Sequence, residues 1–208
     1  MLNDEKIKDY YRYVENYDWT HVSDIFVGPE TLLHRNRSKK IIKLINQHLM
    51  ENGKFLDIGC GTGLITRHLP PGSTGLDINP RNLEKAKKYA PQINFVEGDA
   101  EKTKFPNETF DLIVCTEVLE HFLDPSKTLR EIKRILKPEG IFIGSVPSKG
   151  LLWKLRFLSR TCGTKEPYHK HYLKTEITNL LKNSFKETTI IGDTIKMNWF
   201  FVCRNKIN

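Results

Sequence analysis

At 208 residues, the chain is long enough to form one domain with a full hydrophobic core. Its 38% hydrophobic and 28% charged residues are typical of a soluble globular protein, and no apolar run approaches the roughly 20 residues that span a bilayer. The net charge of +8 fits an anionic partner, such as RNA or a membrane surface, but equally fits a solvated surface with scattered lysine pairs. The four widely spaced cysteines disfavour a disulfide framework or a zinc knuckle. We expect a single cytoplasmic domain, 1–208, without a signal peptide.

The first part of the chain is predicted to form helices separated by a loop. An aromatic-rich helix is expected from Glu5 to Tyr17, and a second from Lys39 to Met50, whose apolar residues share one broad face. Between them, the segment from Thr20 to Arg37 contains a Gly-Pro pair and several basic residues, which indicates a loop or lid.

A glycine-rich turn after the first predicted strand is the most informative feature of the chain. Lys54–Ile58 has the pattern of a short buried strand, and Gly59, Gly61 and Gly63 follow at every second position. Glycines in this arrangement let the backbone lie directly against a ligand, and a helix is expected directly after the turn. The spacing is neither the G-x-G-x-x-G of dinucleotide sites nor a P-loop. With Asp57 at its mouth, the turn favours a ligand that has an amino-acid end and no pyrophosphate.

Strand and helix patterns alternate through the middle of the chain, which implies a mostly parallel sheet. Strands are expected at Ser73–Ile78, Ile93–Glu97, Phe110–Thr116 and Ile141–Val146, with helices opening at Asn79-Pro80 and Asp124-Pro125 and a turn at 137–140. The C-terminal third differs. It is predicted to contain short helices at Leu151–Leu158 and Thr175–Lys182, the latter capped by Thr175, and then strands at Phe185–Ile191 and Trp199–Arg204. Their short connection suits an antiparallel hairpin.

An acid ends the second predicted strand. Asp77 follows the acid of the glycine motif by about 20 residues, where nucleotide-binding α/β folds place a carboxylate that accepts hydrogen bonds from ribose hydroxyls. The alternative is a plain helix cap, but Asn79 already occupies the cap position before Pro80. Asp77 and its neighbour Ile78 are therefore candidate ligand-binding residues.

Taken together, the motifs of Lys54–Val146 resemble those of the class I S-adenosylmethionine-dependent methyltransferases. The resemblance is strongest to the branch that contains the ubiquinone- and menaquinone-biosynthesis methyltransferases, through the run from Glu117 to His121 (Glu-Val-Leu-Glu-His). It implies an α/β, Rossmann-like, doubly wound seven-stranded sheet, mostly parallel with an antiparallel C-terminal hairpin, plus N-terminal helices. It also divides the domain into an N-terminal helical lid (1–50), a cofactor-binding core (54–146) and a substrate-side insert with the C-terminal hairpin (147–208).

The resemblance further implies S-adenosyl-L-methionine as the cofactor. In the family, an acid at the position of Asp99 hydrogen-bonds the adenine amino group, and the next N–H, here that of Ala100, binds a ring nitrogen. Residues at the end of strand four lie by the methionine part, and an arginine ahead of the glycine motif, here Arg35 or Arg37, reaches the cofactor carboxylate. The candidate cofactor-binding residues are Arg37, Asp57, Gly59, Cys60, Gly61, Gly63, Asp77, Ile78, Asp99, Ala100, Thr116 and Glu117.

Histidines supply the candidate bases for an oxygen acceptor, whose proton must be removed during methyl transfer. His34, His121, His169 and His171 are available, although a lone histidine is more often structural. We predict His121 and His171 as the catalytic residues.

The run Glu117-x-x-Glu120-His121 has a second interpretation, because two carboxylates and an imidazole can hold a divalent metal. Small-RNA 3′-end methyltransferases use a similar cluster with a further histidine, and His169 or His171 could complete it here. The same string is common in methyltransferases that have no metal, so the metal content stays open at this point.

The predicted acceptor is a small or lipid-like molecule held by the lid and the insert. The apolar and basic segment 151–158 could enclose a lipophilic acceptor, touch a membrane surface or simply cover the sheet. RNA methylation, a non-catalytic cofactor-binding regulator and a nicotinamide-dependent oxidoreductase are the alternatives. The intact glycines and acids disfavour the regulator, and the glycine spacing disfavours the oxidoreductase. The methylated atom and the oligomeric state are left open.

Overall fold

A computed structural model of the chain describes residues 2–14, 18–25, 29–150, 166–193 and 197–205. Its helices are α1 (Asp4–Tyr13), α2 (Trp19–Ile25), α3 (Pro29–Asn46), α4 (Pro80–Tyr89), α5 (Pro125–Ile135) and α6 (Lys174–Lys182). Its strands are β1 (Phe55–Ile58), β2 (Thr74–Asp77), β3 (Asn94–Glu97), β4 (Phe110–Thr116), β5 (Leu136–Pro147), β6 (Glu187–Gly192) and β7 (Asn198–Arg204). Single turns of 3₁₀ helix lie at Thr66–His68 and Leu119–His121.

The strands form one seven-stranded sheet in the order β3-β2-β1-β4-β5-β7-β6. Strands β1 to β5 pair in parallel, whereas β7 pairs antiparallel with both β5 and β6. This confirms the predicted mostly parallel sheet with antiparallel C-terminal strands. The direction of winding reverses between β1 and β4, because the chain runs outward through β2 and β3 before it crosses back to β4.

Both faces of the sheet are covered, as expected of a doubly wound fold. Ile113 and Cys115 of β4 join residues of α5 and α6 in one hydrophobic cluster, whereas Leu112 and Val114 join residues of α3 in the other. Successive side chains of a strand point to opposite faces, so each face receives every second residue. All four residues are fully buried, which explains why β4 is a continuous apolar run rather than an alternating one.

The helices α4 and α5 begin where the sequence predicts. The side chain of Asn79 accepts a hydrogen bond from the backbone N–H of Arg81 at 3.0 Å, and that of Asp124 accepts one from Ser126 at 3.1 Å. A proline occupies the first turn of each helix, where its missing N–H has no intrahelical partner to lose.

The predicted loop between Thr20 and Arg37 is wrong, because most of this segment is helical. The helix α2 covers Trp19–Ile25, and α3 begins at Pro29 and ends at Asn46, not at Lys39 and Met50. A Gly-Pro pair is compatible with a loop, but proline is also favoured at the first position of a helix, and here it marks the start of α3. The basic residues of the predicted loop therefore lie on a helix.

The helix expected directly after the glycine turn is also wrong, because it is reduced to one 3₁₀ turn at Thr66–His68. Pro70 and Pro71 follow closely and cannot continue a helix. At the other end of the chain, Thr175 does not cap α6. That helix starts at Lys174, and the N–H of Leu173 donates to the carboxylate of Glu176 at 2.7 Å.

The strand β5 starts earlier than predicted and includes 137–140, the segment expected to form a turn. The predicted helix 151–158 and Cys162 lie outside the described residues. Within the described part of the chain, no helix is both long and apolar enough to cross a membrane.

Candidate active site

The candidate site lies at the carboxyl ends of β1 to β4, where the winding of the sheet reverses. In open α/β sheets, ligands bind in the crevice outside the strand ends at such a reversal. The parallel pairing brings together the glycine turn after β1, Asp77 at the end of β2, Asp99 after β3 and Glu117 after β4. The motifs that were found separately in the sequence are thus assembled at one edge.

The glycine turn has the left-handed backbone that its sequence requires. Gly59, Gly61 and Gly63 have φ values of 69°, 52° and 87°, a region that residues with a Cβ adopt at a cost. At Gly59 the reason is packing, because an added Cβ would lie 2.3 Å from Cγ2 of Val118. At Gly61 no atom of the described residues beyond its two chain neighbours lies within 4 Å of an added Cβ, so this glycine presents bare backbone to open space.

Two buried carboxylates hold the turn in place. Asp77 accepts hydrogen bonds from the N–H of Gly61 at 2.7 Å and from the N–H of Asn79 at 2.8 Å. Asp57 lies within β1, not at the mouth of the turn, and accepts a hydrogen bond from the Thr66 hydroxyl at 2.5 Å. Burial raises the pKa of Asp57 to about 7 and also raises that of Asp77, although the hydrogen bonds to Asp77 oppose the shift.

Asp99 is more open than the other acids, and the N-terminal helix α1 reaches it. Its carboxylate pairs with Nζ of Lys8 at 2.6 Å and accepts a hydrogen bond from the N–H of Glu101 at 2.8 Å. The same ammonium lies 2.5 Å from the carboxylate of Glu101. Burial alone would lower the pKa of Lys8, but these two acids outweigh it and raise that pKa. The next residue, Ala100, is half-buried against the hydrophobic core.

The cysteines near the site are buried thiols. Burial, reinforced by the charges of nearby acids, raises the pKa of Cys60 and Cys115 well above the ordinary value. A thiol that keeps its proton is a poor nucleophile. The side chain of Cys60 packs beside Gly75, so the contribution of this residue to a ligand site is its backbone.

Glu117 is the most strongly held residue of the site. It has a left-handed backbone with φ of 55°, and its carboxylate accepts hydrogen bonds from Arg37 at 2.9 Å, Ser145 at 2.6 Å and Asn198 at 3.0 Å. Thr116, which precedes it, ends β4 and is half-buried. Arg37 is therefore placed at the carboxyl edge of the sheet through its bond to Glu117, whereas Arg35 donates to backbone oxygens of α2.

Three histidine rings form a chain beside the end of β4. The ring of His121 lies 5.2 Å from that of His169, which lies 4.9 Å from that of His171. The two predicted bases, His121 and His171, are therefore linked through His169. On its other side, Nδ1 of His121 lies 2.7 Å from the hydroxyl of Tyr11.

The carboxylate of Glu120 is buried beside these rings. Among the described residues, nothing hydrogen-bonds its Oε2 atom. Burial raises the pKa of Glu120 well above its ordinary value, and the charge of Glu117 raises it further. One ligand atom each of Glu120, His121 and His169 lie within 4.8 Å of one another. These three residues could hold a metal ion, but Glu117 is not among them. Its carboxylate instead accepts hydrogen bonds from Arg37, Ser145 and Asn198.

The helix α1 closes over the carboxyl edge. The side-chain amide of Asn79 donates to the backbone carbonyls of Tyr11 at 3.0 Å and Val14 at 2.9 Å. Together with the contacts of Lys8 to Asp99 and of Tyr11 to His121, these bonds tie one short helix to the loops after β2, β3 and β4. The helix therefore forms part of the site and is not a separate appendage.

Comparison with known proteins identifies the fold and the family. A family model described as a methyltransferase domain matches residues 56–144. The mitochondrial ubiquinone biosynthesis O-methyltransferase of Schizosaccharomyces pombe is 30% identical over 188 residues, which cover 80% of this chain and 67% of that protein. The chain belongs to the class I S-adenosylmethionine-dependent methyltransferases.

A further relative matches a shorter part of the chain, and a solved structure matches its fold. The chloroplastic 2-methyl-6-phytyl-1,4-hydroquinone methyltransferase 1 of Oryza sativa subsp. japonica is 35% identical over 113 residues, but these span only 34% of that protein and 51% of this chain. The crystal structure of magnesium protoporphyrin IX methyltransferase from Synechocystis PCC 6803 with bound SAH (S-adenosylhomocysteine) matches with a TM-score of 0.72 at 16% identity, over 97% of this chain and 100% of that chain. The second match concerns the fold.

Membership in the family confirms the predicted enzyme class and the predicted cofactor, S-adenosylmethionine. It favours a methyltransferase over the nicotinamide-dependent oxidoreductase and the non-catalytic regulator. The residues of the carboxyl edge fit this cofactor, since the bare backbone of Gly61 borders open space and the carboxylates of Asp77 and Asp99 flank it along neighbouring strands. Which of them touch the cofactor is part of the proposal below.

Sequence analysis missed several residues of the methyltransferase site. Tyr11 and Lys8 belong to the predicted aromatic-rich helix, but nothing in the sequence shows that this helix reaches residues about a hundred positions away. Ser145 and Asn198, which hold Glu117, lie in strands predicted from their apolar neighbours. A polar side chain in an otherwise buried strand was the signal that could have found Ser145.

Proposed function

We propose that this methyltransferase transfers the methyl group of S-adenosylmethionine to a hydroxyl oxygen of a small, lipophilic acceptor of the hydroquinone type. The observation that carries the proposal is the chain of imidazoles beside the end of β4, which provides bases where the acceptor would meet the methyl group. The names of the relatives support it, since one is an O-methyltransferase of ubiquinone biosynthesis and another acts on a prenylated hydroquinone.

The cofactor is proposed to lie along the carboxyl edge. Asp77 and the adjacent Ile78 would face its ribose, and Asp99 with the N–H of Ala100 its adenine. Arg37 would bind its carboxylate, because guanidinium and carboxylate groups form paired, charge-assisted hydrogen bonds. The backbone of the glycine turn, from Gly59 to Gly63, and the end of β4, at Thr116 and Glu117, complete this set.

His121 is proposed as the general base, with His171 at the far end of the same chain of rings. As the acceptor oxygen bonds the methyl carbon, the carbon–sulfur bond breaks, and the hydroxyl proton passes to an imidazole nitrogen of His121. The sulfonium supplies a strong electrophile when the cofactor is bound, so the protein's main contributions are to orient the acceptor and to exclude water. The helix α1 lies over the carboxyl edge of the sheet, which supports the exclusion of water from the site.

The insert from Pro147 to Tyr172 is proposed to help enclose the acceptor and to contact a membrane surface through 151–158. This segment lies outside the described residues, and the support for the proposal is its apolar and basic sequence. Sedimentation with anionic and with neutral vesicles tests it, using a variant in which the basic residues of the segment are replaced by Gln. Equal partitioning of the two proteins would end the membrane proposal. The cytoplasmic location also stays a prediction.

The acceptor proposal is tested with labelled cofactor and a panel of acceptors. A prenylated hydroquinone should be methylated, whereas a sterol and a short RNA should not, and mass spectrometry should place the methyl group on oxygen. Replacing His121 by Gln should lower kcat about 100-fold or more, in the range that general bases contribute. The matched control is His21→Gln, at an exposed position on α2. Methylation of the RNA alone, or full activity of the His121→Gln variant, would contradict the proposal.

The role of Arg37 is tested with two ligands that differ in the amino-acid end. S-adenosylhomocysteine carries the carboxylate, whereas 5′-methylthioadenosine lacks it. The Arg37→Ala variant should bind the first at least about 10-fold more weakly, equivalent to about 1.4 kcal/mol, and the second unchanged. Equal losses for both ligands would show that Arg37 acts through the fold, by way of its bond to Glu117.

A further inference from the structure

Asn79 connects the loop after β2 to the helix α1, and its side chain is fully buried. Its backbone N–H donates to the carboxylate of Asp77 at 2.8 Å, and its side-chain oxygen accepts from the N–H of Arg81 at 3.0 Å. Its side-chain amide donates to the backbone carbonyls of Tyr11 at 3.0 Å and Val14 at 2.9 Å. Because a backbone N–H only donates and a carbonyl oxygen only accepts, the direction of these bonds and the orientation of the amide are fixed.

The amide of Asn79 caps the C-terminal end of α1. The last carbonyl groups of a helix have no donor within the helix, and α1 ends at Tyr13. Two carbonyls at this end receive the amide of Asn79, which lies 68 positions from Tyr11 and 65 positions from Val14 in the chain. The oxygen of the same side chain caps the start of α4. One buried asparagine therefore joins the end of α1, the start of α4 and the carboxylate of Asp77.

This connection can persist when the cofactor is bound, whereas the ion pair of α1 cannot. Lys8 pairs with the carboxylate of Asp99, which is the group proposed to receive adenine. The bonds from Asn79 to α1 occupy no group that is proposed to bind the cofactor. Asn79 is also neutral and buried, so salt does not screen its bonds as it screens an exposed ion pair.

We propose that Asn79 is a positioning residue that couples the ribose of the cofactor to the closure of α1. The inference rests on the proposed function, in which Asp77 faces the ribose. A ribose bound to Asp77 restricts the loop from Asp77 to Asn79, and the amide of Asn79 holds the end of α1. The helix is thereby held over the carboxyl edge after adenine has displaced Lys8 from Asp99.

Amide hydrogen exchange with and without S-adenosylhomocysteine tests the coupling. Asn79→Ser keeps a side chain that caps α4 about as well as asparagine does, but its hydroxyl is too short to reach α1 as well. The ligand should slow exchange in α1 of the wild type about 10-fold more than in Asn79→Ser, a factor within the range of two modest hydrogen bonds. At the start of α4 the ligand should slow exchange equally in both proteins. Asn79→Ala loses both caps, so exchange at the start of α4 should become faster in this variant alone.

The matched control is Asn94→Ser, at an exposed position at the start of β3. This substitution also removes an amide that donates to a carbonyl, that of Gly72 at 3.1 Å, but at the opposite edge of the sheet. It should behave as the wild type in exchange and in the release of S-adenosylhomocysteine. Release from Asn79→Ser, followed by stopped flow, should be about 10-fold faster, because α1 no longer stays closed over the ligand.

Equal slowing of exchange in α1 of the wild type and Asn79→Ser, or an unchanged release rate, would overturn the inference. If Asn79→Ser does not fold, the wild type decides, because hydrogen exchange of the Asn79 side-chain amide should slow when the ligand binds, and an unchanged rate would overturn the coupling. Failure of the proposed cofactor placement looks different, since the ligand would then not protect the loop after β2 in any of the proteins, and the inference would fall with it. Failure to methylate a hydroquinone would concern the acceptor alone, because these measurements use none.

Discussion

Replacing Gly61 by Ala separates the two reasons for a glycine in the turn, backbone strain and contact with the cofactor. Its φ of 52° imposes a cost of about 1–2 kcal/mol on alanine, and no described atom beyond the two chain neighbours lies within 4 Å of the added Cβ. Alanine also lowers the conformational entropy of the unfolded chain, which stabilises the folded state by roughly 0.4–1 kcal/mol. The net loss of stability should therefore be about 1 kcal/mol, which lowers Tm by about 2–4 °C in a protein of this size.

The loss of cofactor affinity should equal or exceed this loss of stability. A Cβ placed into the space proposed for the cofactor costs about 1–3 kcal/mol if it behaves like an overpacked core. That corresponds to about 5- to 150-fold weaker binding of S-adenosylhomocysteine, measurable by calorimetry. Thermal unfolding of the same samples gives the stability of the free protein.

Gly72 provides the matched control for this prediction. It has a φ of +82°, and an added Cβ there also meets no described atom within 4 Å, but it precedes β2 at the opposite edge of the sheet. Gly72→Ala should therefore lose a similar amount of stability and retain full affinity for S-adenosylhomocysteine. If Gly61→Ala binds S-adenosylhomocysteine as tightly as Gly72→Ala does, the turn does not border the cofactor.

Three further predictions concern stability. Folding raises the pKa of Asp57 from about 3.9 to about 7, so the stability contributed by its protonated form is full below about pH 4 and is lost as the pH rises through 7. Between pH 5 and pH 8, the free energy of unfolding in urea should therefore fall by roughly 3 kcal/mol less in Asp57→Asn than in the wild type. Parallel pH dependences of the two proteins would contradict this. Gly144→Ala should lower the free energy of unfolding by about 3 kcal/mol, because the added Cβ would lie 2.4 Å from the backbone oxygen of Cys115. A loss below about 1 kcal/mol would show that β4 and β5 can move apart to make room for it. Thr20→Val removes the hydroxyl that donates to the carbonyl of Thr62 at 2.9 Å. Amide hydrogen exchange in α2 should become faster by a factor equivalent to about 1–3 kcal/mol, whereas exchange in β4 should not change. Equal acceleration in α2 and β4 would contradict a local role of this bond.

The sheet could be predicted because each of its signals is local. The buried run of β4 and the Asn-Pro and Asp-Pro starts of α4 and α5 depend on residues adjacent in sequence. The helices α2 and α3 could not be predicted with the same rules, since Gly28-Pro29 is compatible with a loop and with a helix start. Tertiary contacts decide between the two, for example the buried bonds of Thr20 to Thr62, 42 positions away.

The candidate site was predictable only in part, for a related reason. Strand ends place Asp77, Asp99 and Glu117 at one edge as soon as the sheet is known to be parallel. The partners of these acids come from elsewhere, as Lys8 and Asn198 do, and their distance in the chain is not encoded in any local pattern. The sequence therefore predicts which strand ends carry the acidic residues, but it does not predict which distant residues bind those acids.

The ion pair between Lys8 and Asp99 has a consequence for the order of events during turnover. In the described arrangement, the carboxylate proposed to receive adenine is already occupied, and α1 lies over the edge from which the cofactor must approach. Cofactor access then requires this pair to separate first. We expect the association rate of S-adenosylhomocysteine to be limited by opening of α1 and to level off at high ligand concentration, and to rise in salt as screening weakens the pair.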